Sequence, residues 1–240
     1  MHMHMHFDNV FHRSLLDIIK SVFTDNVSSS FHFTPFSQYW TTVDGRRVQV
    51  YSEAYTSPWM VEAYKKVNRL PREADDHYER VIIPLMLWSD TTHLTNFGDA
   101  SLWPVYVYFG NQSKYIRGKP TSGACHHVAY IPSVSVYIVH TTTNVLLTNS
   151  YCSYPTTFKI RMSVRMAKHQ HVRCILTSSM SLCMQAIWRH LLDRQFVKAF
   201  KTGILIECVD HITRCFFPHL FTYSANYPEK YKMFTVRARQ

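Results

Sequence analysis

None of the chain's six cysteines, Cys125, Cys152, Cys174, Cys183, Cys208 and Cys215, forms a C-x-x-C pair. Scattered in this way they give no disulfide framework, and they read as reduced, intracellular thiols. No apolar run approaches the ~20 residues that span a bilayer, and the amino terminus alternates Met and His where a signal peptide would carry an unbroken apolar core. Secretion and membrane insertion are therefore not expected. Acidic residues are also scarce, 16 Asp plus Glu against 26 Lys plus Arg, for a formal charge of +10. That excess suits a polyanionic partner, since each neutralised phosphate releases counterions, but charge alone names none.

What is present describes a folded chain. Across 240 residues, 46% are hydrophobic and 15% aromatic, enough for one sizeable core or two small ones. Leu15, Leu16, Ile18, Ile19, Val22 and Phe23 recur at helical spacing behind Ser14, a good N-cap, and predict an amphipathic helix from Ser14 to Phe23. Asp44-Gly45 signals a turn before a short strand, Arg46 to Tyr51, and Trp59 to Val67 returns to a helical pattern that stops before Pro71. The run Val81 to Trp88 suits a central strand buried on both faces, with Pro84 requiring an edge, a bulge or the strand's first half. Trp103 to Phe109 and His127 to Ile131 follow as strands, so the three predict an antiparallel meander with tight connections. Between about Val136 and Thr177 neither a period of 2 nor of 3.6 is found, and no element is assigned. From Ser181 a helix is predicted to about Phe200, closed by Gly203, and Ile204 to Cys208 with Ile212 to Ser224 reads as a hairpin leading into a long apolar strand.

Certain blocks resemble a known family. Asp90-Thr91-Thr92-His93-Leu94 with Asn96-Phe97-Gly98, then W-P-V-Y-V-Y-F-G-N-Q-S-K-Y-I-R and S-G-A-C-H-H-V-A-Y-I-P-S, resemble the front block of Plavaka transposases, a fungal branch related to the CACTA elements. H-L-L-D-R-Q-F-V-K-A-F through F-F-P-H-L-F-T-Y-S-A-N-Y-P-E-K is similar to the next block of that family, and Phe11 to Trp59 more weakly so, leaving roughly Val136 to Met180 outside the resemblance. It implies an α/β protein with an incomplete ribonuclease-H-like core. The expected division is an N-terminal mixed α/β segment over 1–79, the first half of the core over 80–135, an irregular segment over 136–180, and the helix and strands of a truncated core over 181–240.

The chemistry implied is metal-dependent DNA cleavage and strand transfer, in which carboxylates hold two Mg²⁺ or Mn²⁺ ions ~4 Å apart. By resemblance Asp90 stands at the first carboxylate position, and Asn226 at the second, where the family has an aspartate in A-D-Y-P-E. Asparagine offers one neutral oxygen where a hard cation wants a full charge, so the metal pair is expected to fail and no functional cofactor is expected. The chain stops at Gln240, before the cysteine-rich segment and the later acidic residue that the family pattern leads one to expect. Asp210 stands where the family has an Asp-Gly turn, so two roles stay open for it, substitute ligand or hairpin residue; the turn glycine itself is missing.

Other features carry paired readings. Lys114, Arg117 and Lys119, with Tyr115 interleaved, form either a phosphate-contacting loop or a solvated basic turn. Cys125-His126-His127 looks like a metal cluster, but neighbours on a strand face opposite ways, which favours a role in the sheet; His169-x-His171-x-x-Cys174 is a weaker metal candidate. Met1 to His6 has the ligands for copper, though a translated nucleotide repeat explains it more simply, and Trp103, Tyr106, Tyr108 and Phe109 suit packing better than base stacking. For 136–180, a DNA-contacting insertion with Lys159, Arg161, Arg165, Lys168 and Arg173 competes with read-through of an intron or a shifted frame. The expectation is a transposable-element-derived, transposase-like fragment without cleavage or strand-transfer activity, with weak, salt-sensitive DNA binding and, by family resemblance, a nuclear location. The alternatives are a retained DNA-binding or partner-binding module and a subunit of an active transposase.

Overall fold

The computed structural model describes residues 11–73, 76–92, 102–131, 185 and 187–225, together with the backbones of 93, 101, 137–140, 145–148 and 159–160. In chain order these hold helix α1 (Leu15–Phe23), strands β1 (Gln38–Thr41) and β2 (Arg47–Val50), helix α2 (Pro58–Asn68), and strands β3 (Glu79–Ser89), β4 (Thr92–His93), β5 (Ser101–Leu102) and β6 (Pro104–Phe109). Then come helix α3 (Lys114–Arg117), strands β7 (His126–Tyr130), β8 (Tyr137–His140), β9 (Val145–Thr148) and β10 (Lys159–Ile160), helix α4 (Arg194–Thr202), and strands β11 (Ile204–Glu207) and β12 (Thr213–Ser224).

A curled five-stranded mixed sheet in the order β11-β12-β3-β6-β7 organises the molecule. Its centre is β3, antiparallel to β6 on one side and parallel to β12 on the other. Every side chain of β3 from Val81 to Leu85 is buried, which is why that stretch reads as a continuous apolar run rather than an alternating one. Pro84 fits there because a strand residue points its N–H and C=O the same way. Its carbonyl accepts from Gly110 N at 2.8 Å, so the missing donor also faces β6, and it does so where that ladder ends, next to the Leu85–Phe109 pair. Beyond this point the side chain of Asn111, fully buried, donates to the carbonyls of Ile82 and His32 at 3.0 Å each and replaces the absent strand.

Helices cover both faces. Ser14 caps α1 as its sequence predicts, accepting from Asp17 N at 3.4 Å, and all six apolar residues of the helical stripe are buried against the sheet. Phe23 is completely buried, with ring centroids 5.2 Å from Phe31, 5.7 Å from Phe109 and 4.5 Å from Phe216. One side chain thus joins α1, β6 and β12, and burial of this kind contributes about 1.5–3 kcal/mol per large apolar residue. Helix α1 is therefore part of the main core. On the opposite face α2, capped by Ser57, packs Met60, Ala63 and Val67 on Ile82, Cys215 and Phe217.

Two expectations are corrected. The helix predicted from Ser181 to Phe200 is broken: helical residues 187–191 stop, Asp193 becomes extended, and its side chain accepts from Phe196 N at 2.7 Å to start α4 afresh. Gly203 does close α4, at φ +78°, where a Cβ would strike Cys215 and Phe217. The meander β3-β6-β7 is antiparallel as expected, but its connections are not tight, since one carries the β4–β5 ladder and the other α3. The stretch left without an element holds a three-stranded antiparallel ladder, β10-β9-β8.

Candidate functional site

Because β3 and β12 are parallel, with Trp88 opposite Ser224, their carboxyl ends open on one edge of the sheet, where open α/β sheets place ligands. Asp90 is the residue after β3 and is half-buried. Just before it, fully buried Ser89 shares a 2.7 Å hydroxyl–hydroxyl hydrogen bond with Tyr223 of β12, and the Tyr223 ring meets Trp188 edge-on at 5.0 Å. On the other face Trp88 stacks on Tyr106 at 5.3 Å, and Tyr106 meets His127 at 4.7 Å. Asn226 lies outside the described residues.

The basic loop is elsewhere. It leaves β6, which runs against β3, so Lys114, Arg117 and Lys119 lie beyond the end of the β3–β6 ladder opposite to Asp90. The three are not equivalent. Arg117 turns inward, donating to the Gln112 carbonyl and pairing with Glu53 Oε2 at 3.4 Å, while its side chain is only 13% exposed. Glu53, just 6% exposed, also accepts from Lys114 N at 2.9 Å and Ser113 Oγ at 3.2 Å. Lys114 and Lys119 remain exposed. A lone glutamate in a loop gives no sequence signal of this role.

Asp210 is a third place again. It lies before β12, a twelve-residue strand, so at ~3.3 Å per residue it is on the order of 35 Å from the edge where Asp90 sits. Its carboxylate grips Arg214 through Nη1 at 2.9 Å and Nη2 at 2.7 Å, and Arg214 Nε donates to Glu79 at 2.7 Å. That grip holds the Asp210 carboxyl below the ordinary carboxylate range and raises the guanidinium further still. Both Asp210 carboxylate oxygens are thus engaged by Arg214. The next residue, His211, has φ +58°, the left-handed conformation of the missing turn glycine.

A family model described as Plavaka transposase matches residues 2–240. The chain belongs to the Plavaka transposase family. That match runs through 136–180, the stretch outside the resembling blocks. No curated protein and no solved structure matches.

Transposases of this kind are generally metal-dependent, so the donor set of this Plavaka chain can be tested for fit. Asp90 brings one carboxylate, the Ser89 hydroxyl is engaged by Tyr223, and the sequence has the neutral amide Asn226 shortly after β12. Among the described residues no three His, Cys, Asp or Glu side chains gather as a metal site. Among the described residues, Asp90 does not by itself supply the several hard anionic oxygens that a two-metal pair needs.

The remaining candidates of the Plavaka chain sort by burial. Trp103 and Phe109 are core residues at 6% and 1% exposure. Burial, with Cys125 beside it, pushes the Tyr108 hydroxyl up to about 12. Cys125 and His127 are exposed, whereas His126 is half-buried against Phe109 at 5.6 Å, and burial lowers its pKa. The Met/His alternation and the His169–Cys174 pattern lie outside the described residues. Among those described, no helix is long and apolar enough to cross a membrane.

Proposed function

We propose that this chain is a transposase-derived protein that binds DNA but does not cut it, and that its five-stranded sheet is a ribonuclease-H-like core. The fold reading is supported by an antiparallel meander, β3-β6-β7, followed by a helix and a strand parallel to the first. The functional reading rests on one observation, the parallel register that sets Trp88 against Ser224. Two positions beyond that pair, the sequence has Asp90 after one strand and Asn226 after the other. One acid and one neutral amide cannot hold the metal pair that activates the attacking oxygen and stabilises the leaving one. DNA affinity is then weak and salt-sensitive, carried by the +10 charge rather than by a catalytic centre.

The test is incubation of purified chain with supercoiled DNA and Mg²⁺ or Mn²⁺, alongside a salt titration of DNA binding. The expected result is no nicking above background and an affinity that falls steeply with salt. Robust nicking that Asp90→Ala abolishes overturns the reading.

A further inference from the structure

We infer that the β1–β2 hairpin and the α3 loop form one surface for an unpaired nucleic-acid strand, whose bases stack on Tyr39, Tyr51 and Tyr115 while Arg47, Lys114 and Lys119 meet its phosphates. This rests on the DNA-binding half of the proposed function and names the form of DNA taken.

The hairpin is unusually bare. All four residues of β1 are exposed, including Tyr39 at 49% and Trp40 at 66%. A two-stranded ribbon is at best marginally stable alone, so aromatic side chains left in water on it are not explained by packing. The register sorts them by face. Tyr39 pairs with Gln49 and Thr41 with Arg47, whereas Trp40 pairs with Val48. Tyr51, 63% exposed, joins the first face by donating to Gln49 Oε1 at 3.3 Å. That face therefore carries two tyrosines, an amide and a guanidinium, and the other is largely apolar.

Charge selects the occupant. Arg47 lies 4.6 Å over the Tyr39 ring and has no carboxylate partner among the described residues. The nearby acids are already engaged, Asp44 by Arg46 at 2.6 Å and Glu53 by the inward-facing Arg117. The hairpin root is tied to the α3 loop, because Lys114 N donates to Glu53 and Lys114 Nζ to the Ser52 carbonyl at 3.4 Å. There Lys114 lies 5.3 Å from the ring of Tyr115, which is 75% exposed. Cations beside open aromatic faces are what a single strand uses, since its unstacked bases present π-faces that a duplex hides.

Fluorescence anisotropy with a labelled oligothymidylate of about 16 nucleotides and a duplex of the same length tests this on the full chain. Tyr39→Ala/Tyr115→Ala is expected to lose roughly tenfold or more in affinity for the oligothymidylate and less than about twofold for the duplex. Arg47→Gln flattens the salt dependence, and Trp40→Ala, on the other face, changes neither ligand. A circular-dichroism melt establishes that each variant is folded, and Tyr39→Phe, which keeps the ring, retains binding. If wild type binds DNA but the double variant binds the oligothymidylate equally well, the surface is wrong and the DNA-binding reading stands. Loss with Trp40→Ala instead puts the DNA contact on the apolar face and overturns the inference. No DNA binding by wild type overturns both.

Discussion

Arg214 and Glu79 face each other at the first paired position of the two parallel strands, with Nε 2.7 Å from Oε2. Arg214 also lies 4.7 Å over the Phe33 ring and is gripped by Asp210, so it ties β3, the hairpin turn and the segment after α1 together. Its side chain is 9% exposed, while those of Glu79 and Asp210 are 40% and 45% exposed.

That asymmetry ranks the substitutions. Arg214→Met leaves two carboxylates that water reaches, and is expected to cost about 1–3 kcal/mol. Replacing both acids with amides strands a buried guanidinium and costs more. Urea unfolding gives the order, and a smaller loss in the Glu79→Gln/Asp210→Asn variant would show that the cation is better solvated than its burial implies.

Acid should weaken the same corner. Arg214 holds the Asp210 carboxyl down, so the folded chain binds fewer protons there than the unfolded one. That stability is present above the ordinary carboxylate pKa and is lost as pH falls through the depressed folded value. Burial lowers His126 and His219, which acts earlier: their share is intact above the ordinary imidazole pKa and declines as pH drops below it. Denaturation midpoints read from pH 7 downward should fall in two stages. Asp210→Asn should flatten only the more acidic one.

His211→Gly should stabilise. A non-glycine residue at φ +58° costs about 1–2 kcal/mol that glycine avoids. Because glycine also loosens the unfolded chain, the expected net gain is roughly 0.5–1 kcal/mol, seen as a higher urea midpoint at unchanged slope. A lower midpoint would mean that the exposed pair of His211 with Glu207, 3.6 Å apart, outweighs the backbone.

Gly110→Ala should do the opposite. An added Cβ would lie 2.8 Å from Pro84 Cγ and 2.9 Å from Ala54 Cβ, both on packed elements, for a cost of about 1–3 kcal/mol. Pro84→Ala in the same chain should recover part of it, and a double-mutant cycle without coupling would show that the clash relaxes elsewhere.

How much of this is legible in the sequence depends on whether the signal is local. Ser14 with its apolar stripe, the Val81–Trp88 run and Gly203 are marked by their own neighbours, and the structure has α1, β3 and the end of α4 there. Asp193 carries a cap signal, but the apolar pattern continues across it, so two helical pieces read as one. The site is less legible. Arg117 looks like a phosphate ligand in sequence because Glu53, the partner that turns it inward, is 64 positions away. Ser89 with Tyr223 and Arg214 with Glu79 are pairs that no window along the chain contains.

Those two pairs have a consequence for the time course of synthesis. They fasten both ends of β3 to β12 across sequence separations of 134 and 135 residues. The meander is complete once Tyr130 has emerged, yet the other side of its central strand stays open until Ser224 follows. At ~5–20 residues per second that wait is on the order of 5–20 s, far longer than the microseconds in which a hairpin closes. For each nascent copy, the most apolar strand of the molecule is half-covered for the whole of that interval, and the rate of translation between them sets how long it lasts.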